Sequence, residues 1–197
     1  MCIRDRLYTC HCTRADIRAA ASAPQEGAAL HGPDGLIYPG TCRPATPPKG
    51  TMPTDSALRL DMARALTRLS TPLEFSVSGE GPYAETGRIM PRYMVQTVGD
   101  VVLARRDIGA SYHLSVVMDD ADQAITHVVR GHDLFEATQI HALLQRLLGL
   151  PTPLYYHHRL IRDSQGKRLA KRDDARAIAT YRSEGASPAD IRAMIGL

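Results

Sequence analysis

The sequence predicts an α/β protein built around at least one parallel strand–helix–strand unit. The run ITHVVRG at 125–131 is rich in β-branched residues and ends in glycine, as is typical of a buried strand. A helix follows it, because apolar residues recur on one helical face: Ile140, Leu143, Leu144, Leu147 and Leu148. The run YYHHRLI at 155–161 predicts the next strand. Since parallel strands need a crossover between them, these patterns together predict a right-handed βαβ unit.

The size and composition indicate one ordinary domain with a small appendage. The chain has 197 residues, of which 44% are hydrophobic, and this excludes a disordered chain. No apolar run approaches the roughly 20 residues that a bilayer crossing needs, and no segment resembles a signal peptide. We therefore expect a cytoplasmic protein without a membrane partner. The net charge of +3 is only mildly basic and is weak evidence for a polyanionic partner.

The cysteines are concentrated in the first quarter of the chain: Cys2, Cys10, Cys12 and Cys42. In a cytoplasmic chain, such clustering favours a metal site over disulfides. A C-x-C pair with one distant cysteine indicates zinc, and the alternative is a set of reduced cysteines without metal. Spacing alone leaves the fourth ligand open, with His11, His31 and Cys2 as the ordinary candidates.

The segments before the βαβ unit divide into a cysteine-bearing part and a further strand and helix region. Residues 1–6, MCIRDR, have no readable pattern and are interpreted as a non-native start. A short helix capped by Thr13 is expected to run through Ala21, and residues 44–53 hold four prolines and predict a linker. Residues 54–69 predict a short strand or turn followed by a helix.

The remaining elements complete the prediction. Residues 79–87 are expected to form a loop, and VVLAR at 101–105 predicts a strand. After the βαβ unit, residues 174–183 and 188–196 predict two helices. The second helix has Ser187 at its N-cap and Pro188 at its first position.

The segment 159–182 is strongly basic. It holds eight Lys or Arg residues against three Asp residues. Such a charge run favours phosphate partners, and the alternative is a solvated helix face. Within it, Gly166 allows a tight turn before KRLAKR. Both this loop and Arg130 follow predicted strands, and ligands of parallel sheets lie at the carboxyl ends of the strands.

The order of four motifs resembles one known family. SYHLSVVMDD, VVRGHDLFEAT, HRLI and KRLAKR follow one another as in the glutamyl branch of class I aminoacyl-tRNA synthetases. Within that branch, the motifs YTCHCTR and YPGTCR resemble those of the glutamyl-queuosine tRNA(Asp) synthetases. The resemblance to this family covers nearly the whole chain. The resemblance implies a partial Rossmann-type catalytic domain at 54–172, preceded by an inserted zinc-binding subdomain with its linker at 7–53. A C-terminal helical segment is expected at 173–197.

The resemblance also implies the site residues. Zinc would be held by Cys10, Cys12, Tyr38 and Cys42. Glutamate would be contacted by Tyr112 and Arg130; without the resemblance, a core tyrosine and a surface ion-pairing arginine are equally reasonable. The lysine loop that contacts ATP corresponds to Arg168, Leu169, Ala170, Lys171 and Arg172. In this loop Lys171 keeps the family's identity and would stabilise phosphate charge.

The activity that the resemblance implies is ATP- and magnesium-dependent activation of glutamate and its transfer to queuosine of tRNA(Asp), by a monomer. We find no His-rich first signature upstream of the cysteines, so we expect a truncated chain that is inactive alone. Two alternatives stay open. One is a fragment of a discriminating glutamyl-tRNA synthetase, and the other is a non-catalytic, zinc-stabilised RNA-binding module.

Overall fold

The computed structural model describes residues 4–21, 31–67, 69, 71–79, 87–89, 91–107, 109–163, 165–169 and 176–197. The strands in these ranges are β1 (Leu7–Cys10), β2 (His31–Gly32), β3 (Gly35–Leu36), β4 (Ala57–Leu60), β5 (Leu73–Phe75), β6 (Val77–Gly79), β7 (Gly87–Ile89), β8 (Val102–Arg105), β9 (Gly109–Ala110), β10 (His127–Gly131) and β11 (Leu154–His158). The helices are α1 (Arg14–Ala21), α2 (Met62–Leu66), α3 (Pro91–Thr97), α4 (Tyr112–Asp122), α5 (Thr138–Leu148), α6 (Ile178–Ser183) and α7 (Pro188–Met194).

A three-stranded parallel sheet holds the strand–helix–strand unit. Its order is β10-β11-β6, and both pairings are parallel. The helix α5 connects β10 to β11, so the predicted βαβ unit is confirmed. In the register of this sheet Arg130 lies opposite His157. The carboxyl ends of the two strands therefore lie side by side.

The burial of β10 differs from the expectation of a buried strand at 125–131. Val129 is 67% exposed, and the strand alternates between exposed and half-buried positions. The reason is its position at the edge of the sheet, because within the described residues only β11 pairs with it. An edge strand has one neighbour, and less of its surface is covered.

The helix α5 forms the centre of the hydrophobic core, as its apolar face predicts. Ile140, Leu143 and Leu144 are fully buried and pack with residues from β5, β6 and β11. Burial of each such side chain stabilises the fold by about 1.5–3 kcal/mol. The helix ends at Gly149, which adopts φ 70°, and the N–H of Leu150 donates to the carbonyl of Gln145.

A separate antiparallel sheet has the order β1-β4-β8-β9. It contains the strands predicted within 54–69 and 101–105, and α2 follows β4 as expected. Asp61 caps α2 by accepting from the N–H of Arg64. In the first part of the chain, α1 begins after Thr13, whose hydroxyl accepts from the N–H of Asp16, so this predicted cap is confirmed.

Asp100 joins β1, the segment that carries Cys42 and the start of α2. Its carboxylate accepts from the Tyr8 hydroxyl at 2.5 Å, from Arg43 Nε at 2.7 Å and from the N–H of Met62 at 2.9 Å. Its carbonyl accepts from Arg59 Nη1 at 2.8 Å. All these partners converge on a residue that is 2% exposed. These segments therefore share one buried polar centre.

The C-terminal helices are less buried. The helix α7 begins at the predicted N-cap Ser187, which also forms a capping box with Asp190. The first predicted helix begins only at Ile178, and residues 171–175 lie outside the described part of the chain. Arg159 donates to the carbonyls of Ile195 and Gly196 and so holds the end of α7. None of the helices that the structure describes has the length and apolar character needed to traverse a bilayer.

Candidate functional site

Arg130, near the carboxyl end of β10, is the centre of a polar cluster. Its guanidinium donates from Nη2 to Thr138 Oγ1 at 2.6 Å, contacts His141 Nδ1 from Nη1 at 3.1 Å, and donates from Nε to His157 Nε2 at 3.3 Å. These partners come from α5 and β11, so the βαβ unit itself builds the cluster. They hold the guanidinium plane through three nitrogen atoms.

The acceptors around Arg130 are uncharged. Burial lowers the pKa of His141 to about 3, with a smaller contribution from the nearby Arg130. Burial and Arg130 likewise lower the pKa of His157 to about 4. Both imidazoles are therefore neutral at pH 7. The Asp120 carboxylate interacts with Arg130 through its charge alone. Among the described residues, no carboxylate is hydrogen-bonded to Arg130.

A partly buried guanidinium with neutral acceptors retains an unbalanced positive charge. Burial lowers the pKa of Arg130, although the neighbouring Tyr155 and Tyr112 raise it. Leaving such a charge without an anion is costly, and the planar guanidinium pairs favourably with a carboxylate. The site can therefore recognise an anionic ligand group.

Tyr112 lies at this cluster, as the first residue of α4 after the N-cap Ser111. It is 54% exposed, and its ring centroid is 5.8 Å from that of His141. The structure thus brings together Tyr112 and Arg130, which the family resemblance implies as the glutamate contacts. An exposed phenol beside a guanidinium offers a hydroxyl and an aromatic wall to a ligand.

The basic loop begins near the carboxyl ends of β10 and β11. Gly166 has φ 77°, as its predicted turn requires, and the Asp163 carboxylate accepts from the N–H groups of Gln165 and Lys167. Arg168 forms an ion pair with Asp133, just after β10. Leu169 is 46% exposed. The other members of the predicted lysine loop lie outside the described residues: Ala170, Lys171 and Arg172.

The three cysteines predicted as metal ligands converge with Tyr38. The sulfur atoms of Cys10, Cys12 and Cys42 all lie within 4.8 Å of one another. The Tyr38 hydroxyl is 3.4 Å from both Cys10 Sγ and Cys12 Sγ, and it accepts from the N–H of Cys42 at 2.8 Å. Cys12 Sγ and Cys42 Sγ are 3.5 Å apart, so these thiols are free. Cys2 lies outside the described residues.

This donor set fits a tetrahedral zinc ion. Thiolates bound at about 2.3 Å from zinc lie roughly 3.8 Å apart. Cys12 Sγ and Cys42 Sγ are 3.5 Å apart, and all three sulfur atoms lie within 4.8 Å of one another. A hydrogen bond with Tyr38 lowers the pKa of the Cys42 thiol to about 7, against the effect of burial, and this favours the thiolate that binds metal. His11 and His31 are not part of the cysteine cluster, and among the described residues the Tyr38 hydroxyl is a fourth donor that contacts it.

A cleft of about 510 Å³ opens beside the cysteines. Cys10, Cys12 and strand β8 contribute to its walls. Four arginines line it: Arg14, Arg59, Arg105 and Arg106. A basic cleft of this kind is suited to a phosphate backbone.

Sequence reasoning missed four residues around Arg130: His113, Thr138, His141 and His157. His157 lies in the strand predicted at 155–161, and the parallel register sets it opposite Arg130. Thr138 and His141 are three residues apart and therefore share a face of α5. That spacing is the signal in the sequence that could have identified them as a pair.

Comparisons with known proteins point to a single family. The model of the catalytic domain of class I tRNA synthetases for E and Q matches residues 75–197. The glutamyl-Q tRNA(Asp) synthetase of Rhodobacter capsulatus is 60% identical, and the match covers 98% of this chain and 68% of that protein. Those of Nocardia farcinica and Symbiobacterium thermophilum are each 40% identical. These two matches cover 95% and 93% of this chain, and 54% and 52% of the relatives.

Solved structures share the fold. A glutamate tRNA ligase from Elizabethkingia meningosepticum, in complex with its amino acid, is 23% identical with a TM-score of 0.60. The match covers 92% of this chain and 38% of that one. A glutamate-tRNA synthetase from Elizabethkingia anophelis is 22% identical with a TM-score of 0.58, covering 94% and 37%. At these identities the likeness concerns the fold alone.

Proposed function

Because this chain belongs to the class I tRNA synthetases of the glutamate and glutamine type, and within them to the glutamyl-Q tRNA(Asp) synthetases, we propose that it carries the amino-acid site of an enzyme that activates glutamate with ATP and transfers it to queuosine of tRNA(Asp). The chain spans 68% of one relative and about half of two others, so the activity of the whole protein is part of this proposal.

The observation that carries the proposal is the charge state of the Arg130 cluster. Arg130 is held by three neutral acceptors and has no carboxylate bonded to it among the described residues. A carboxylate of glutamate would supply the missing anion in bidentate geometry. Tyr112 would offer its hydroxyl to the same ligand. Glutamine presents a neutral amide in place of one carboxylate and would balance less charge.

The reaction needs positioning and charge stabilisation more than covalent help from the protein. An oxygen of the glutamate α-carboxylate attacks the α-phosphorus of ATP, whose bond to pyrophosphate breaks, and glutamyl-adenylate forms. A hydroxyl of queuosine then attacks the carbonyl carbon, and AMP leaves. In this scheme Arg130 and Tyr112 orient the amino acid. Lys171 offsets the charge that develops on the phosphates.

The ATP-binding part of the proposal rests on the basic loop. Arg168, Leu169, Ala170, Lys171 and Arg172 form it, with magnesium accompanying the ATP substrate. The ion pair of Arg168 with Asp133 supports this role, because it holds the loop's beginning next to the carboxyl end of β10. A cationic loop near the carboxyl ends of the strands would contact a triphosphate bound there.

We further propose that Cys10, Cys12, Cys42 and Tyr38 hold one structural zinc ion. The convergence of three thiols and a phenol supports this assignment. Such a site would cross-link the end of β1 to the segment that carries Tyr38 and Cys42. It lies on a different sheet from Arg130, so the zinc would be structural and take no part in the reaction.

Calorimetric titration of the purified chain tests the amino-acid site. We expect saturable binding of L-glutamate and at least tenfold weaker binding of L-glutamine, a difference of about 1.4 kcal/mol. Arg130→Gln should abolish glutamate binding. Arg146→Gln removes an exposed arginine from α5 and is the matched control, which should bind as the unaltered chain does. Equal affinity for both amino acids would contradict the proposal.

The arginine-lined cleft supports a second candidate, a zinc-stabilised module that binds RNA without catalysis. Arg14, Arg105 and Arg106 are exposed and give it a basic surface, whereas Arg59 is buried. RNA binding that persists in a chain unable to bind glutamate would favour this module. Glutamate binding would favour the synthetase, since a simple RNA-binding module has no need for an amino-acid site.

A further inference from the structure

A hydrogen-bond chain connects the turn between β2 and β3 to Arg130. We propose that Asp34, in that turn, is a positioning residue that orients Arg130 through His113 and His141. The inference rests on the proposed role of Arg130 in binding the glutamate carboxylate. It adds a residue of the cysteine-bearing part to the amino-acid site.

The chain is continuous. Asp34 Oδ1 lies 3.2 Å from His113 Nε2. His113 Nδ1 lies 3.0 Å from His141 Nε2. His141 Nδ1 lies 3.1 Å from Arg130 Nη1. Each imidazole nitrogen is used once, and both histidines are buried, at 6% and 1% exposure.

The direction of every hydrogen bond follows from Arg130. A guanidinium only donates, so Nδ1 of His141 must accept and its proton lies on Nε2. That N–H donates to Nδ1 of His113, whose proton therefore also lies on Nε2. The second N–H donates to the Asp34 carboxylate. One arrangement of protons thus satisfies all three hydrogen bonds with both imidazoles neutral.

Asp34 supports this arrangement from the other end, because its carboxylate accepts the N–H of His113 Nε2. The Nε2–H tautomers that Arg130 requires are therefore stabilised at both ends of the chain. Successive hydrogen bonds polarise one another, so Nδ1 of His141 becomes a stronger acceptor for Arg130. Asp34 thereby acts on the orientation of the guanidinium.

The arrangement also keeps the charge of Arg130 available. Two imidazole rings separate Asp34 from Arg130, so the carboxylate does not pair directly with the guanidinium. A direct ion pair would occupy the donors that a ligand carboxylate needs. With Thr138 and His157 holding the other nitrogens, Arg130 is fixed in orientation and still attracts an anion.

Histidine nitrogen NMR on the ¹⁵N-labelled chain tests the proton arrangement directly. We expect both His113 and His141 as Nε2–H tautomers, with resonances assigned through the variants His113→Asn and His141→Asn. Asp34→Ala should shift His113 towards a mixture of tautomers and change the signal of His141. A purely structural role of Asp34 would leave the tautomer of His141 unchanged. An Nδ1–H tautomer for either histidine in the unaltered chain would overturn the proposal.

Glutamate titration of the same variants tests the functional consequence. Asp34→Ala should weaken binding about tenfold, the effect of losing one charged hydrogen bond. Asp34→Asn keeps a hydrogen-bond acceptor and should retain most of the affinity for glutamate. This variant also tests the proposal if Asp34→Ala does not fold. Asp122→Asn, at the exposed end of α4, is the matched control.

The two proposals fail in different ways. Unchanged affinity in Asp34→Ala overturns the positioning role, whatever the tautomers are. If the unaltered chain binds no glutamate but both histidines are Nε2–H, the proposed function fails while the direction of the hydrogen bonds is supported.

Discussion

Arg130 and His157 face each other across the parallel pair β10 and β11, and Arg130 Nε lies 3.3 Å from His157 Nε2. Strand register brings these two residues together, whereas Thr138 and His141 reach the same guanidinium from α5. A single βαβ unit therefore supplies the arginine and three of its acceptors. The geometry of the site depends on how α5 packs on the sheet, and the following predictions test that dependence.

Thr138→Val should weaken the site without removing any charge. The Thr138 hydroxyl accepts from Arg130 Nη2 at 2.6 Å and is fully buried. Valine has a similar shape but leaves the guanidinium N–H without its acceptor, which costs about 1–3 kcal/mol. We expect roughly tenfold weaker glutamate binding by calorimetry. Thr97→Val, on the exposed side of α3, should bind normally, and equal loss in both variants would argue against a specific contact.

Stability should rise with pH between about 4 and 6.5. The pKa values of His141 and His157 are lowered to about 3 and about 4, so the folded chain binds fewer protons than the unfolded chain in this window. Their contribution is complete above the unfolded histidine pKa, near 6.5, and is lost as the pH falls. Thermal unfolding across this range measures the slope. His141→Asn should flatten it, and an unchanged slope in that variant would contradict the burial argument.

Purified chain should contain about one zinc ion, measured by atomic emission. Chelation or Cys42→Ser should lower the melting temperature, because metal binding and folding are coupled. Tyr38→Phe removes only the phenolic oxygen and should weaken zinc retention in a competition with chelator. Cys2→Ser tests the alternative fourth ligand: retained zinc in this variant supports Tyr38, and lost zinc would assign the fourth position to Cys2. Metal-free protein with an unchanged melting temperature would contradict the site.

Lys171→Ala should reduce the affinity for magnesium ATP by about tenfold, because one charged contact to phosphate contributes about 1.5–3 kcal/mol. Isothermal titration of the chain with magnesium ATP checks this expectation. Lys49→Ala, an exposed lysine of the proline-rich linker, is the matched control for net charge. Equal affinities in the two variants would reassign the basic loop to another phosphate ligand.

The elements with strong local signals could be predicted from the sequence. The apolar face of α5 and the N-cap Ser187 of α7 are each determined within a few residues, and both were predicted. The exposure of Val129 could not be predicted, because an apolar β-branched run is the same in a central and an edge strand. Only the arrangement of strands distinguishes the two.

The same distinction applies to the candidate site. Tyr112 and Arg130 were predicted through the resemblance, and the structure brings them together. The contact of Asp34 with His113 joins residues far apart in sequence, and no periodicity encodes such a contact. The cysteine site was predicted from the sequence only in part. Their spacing predicted a metal site, but Tyr38 was identified through the resemblance and not through spacing.

The carboxylate of Asp100 has a consequence for cooperativity. It accepts hydrogen bonds from Tyr8, on the strand that carries Cys10, and from Arg43, the residue after Cys42. It also accepts from the N–H of Met62, in the first turn of α2. Unfolding of any one of these segments would leave the buried carboxylate without one of its donors. The antiparallel sheet, the segment around Cys42 and α2 should therefore unfold in one transition, and amide hydrogen exchange in the three should report a common opening free energy.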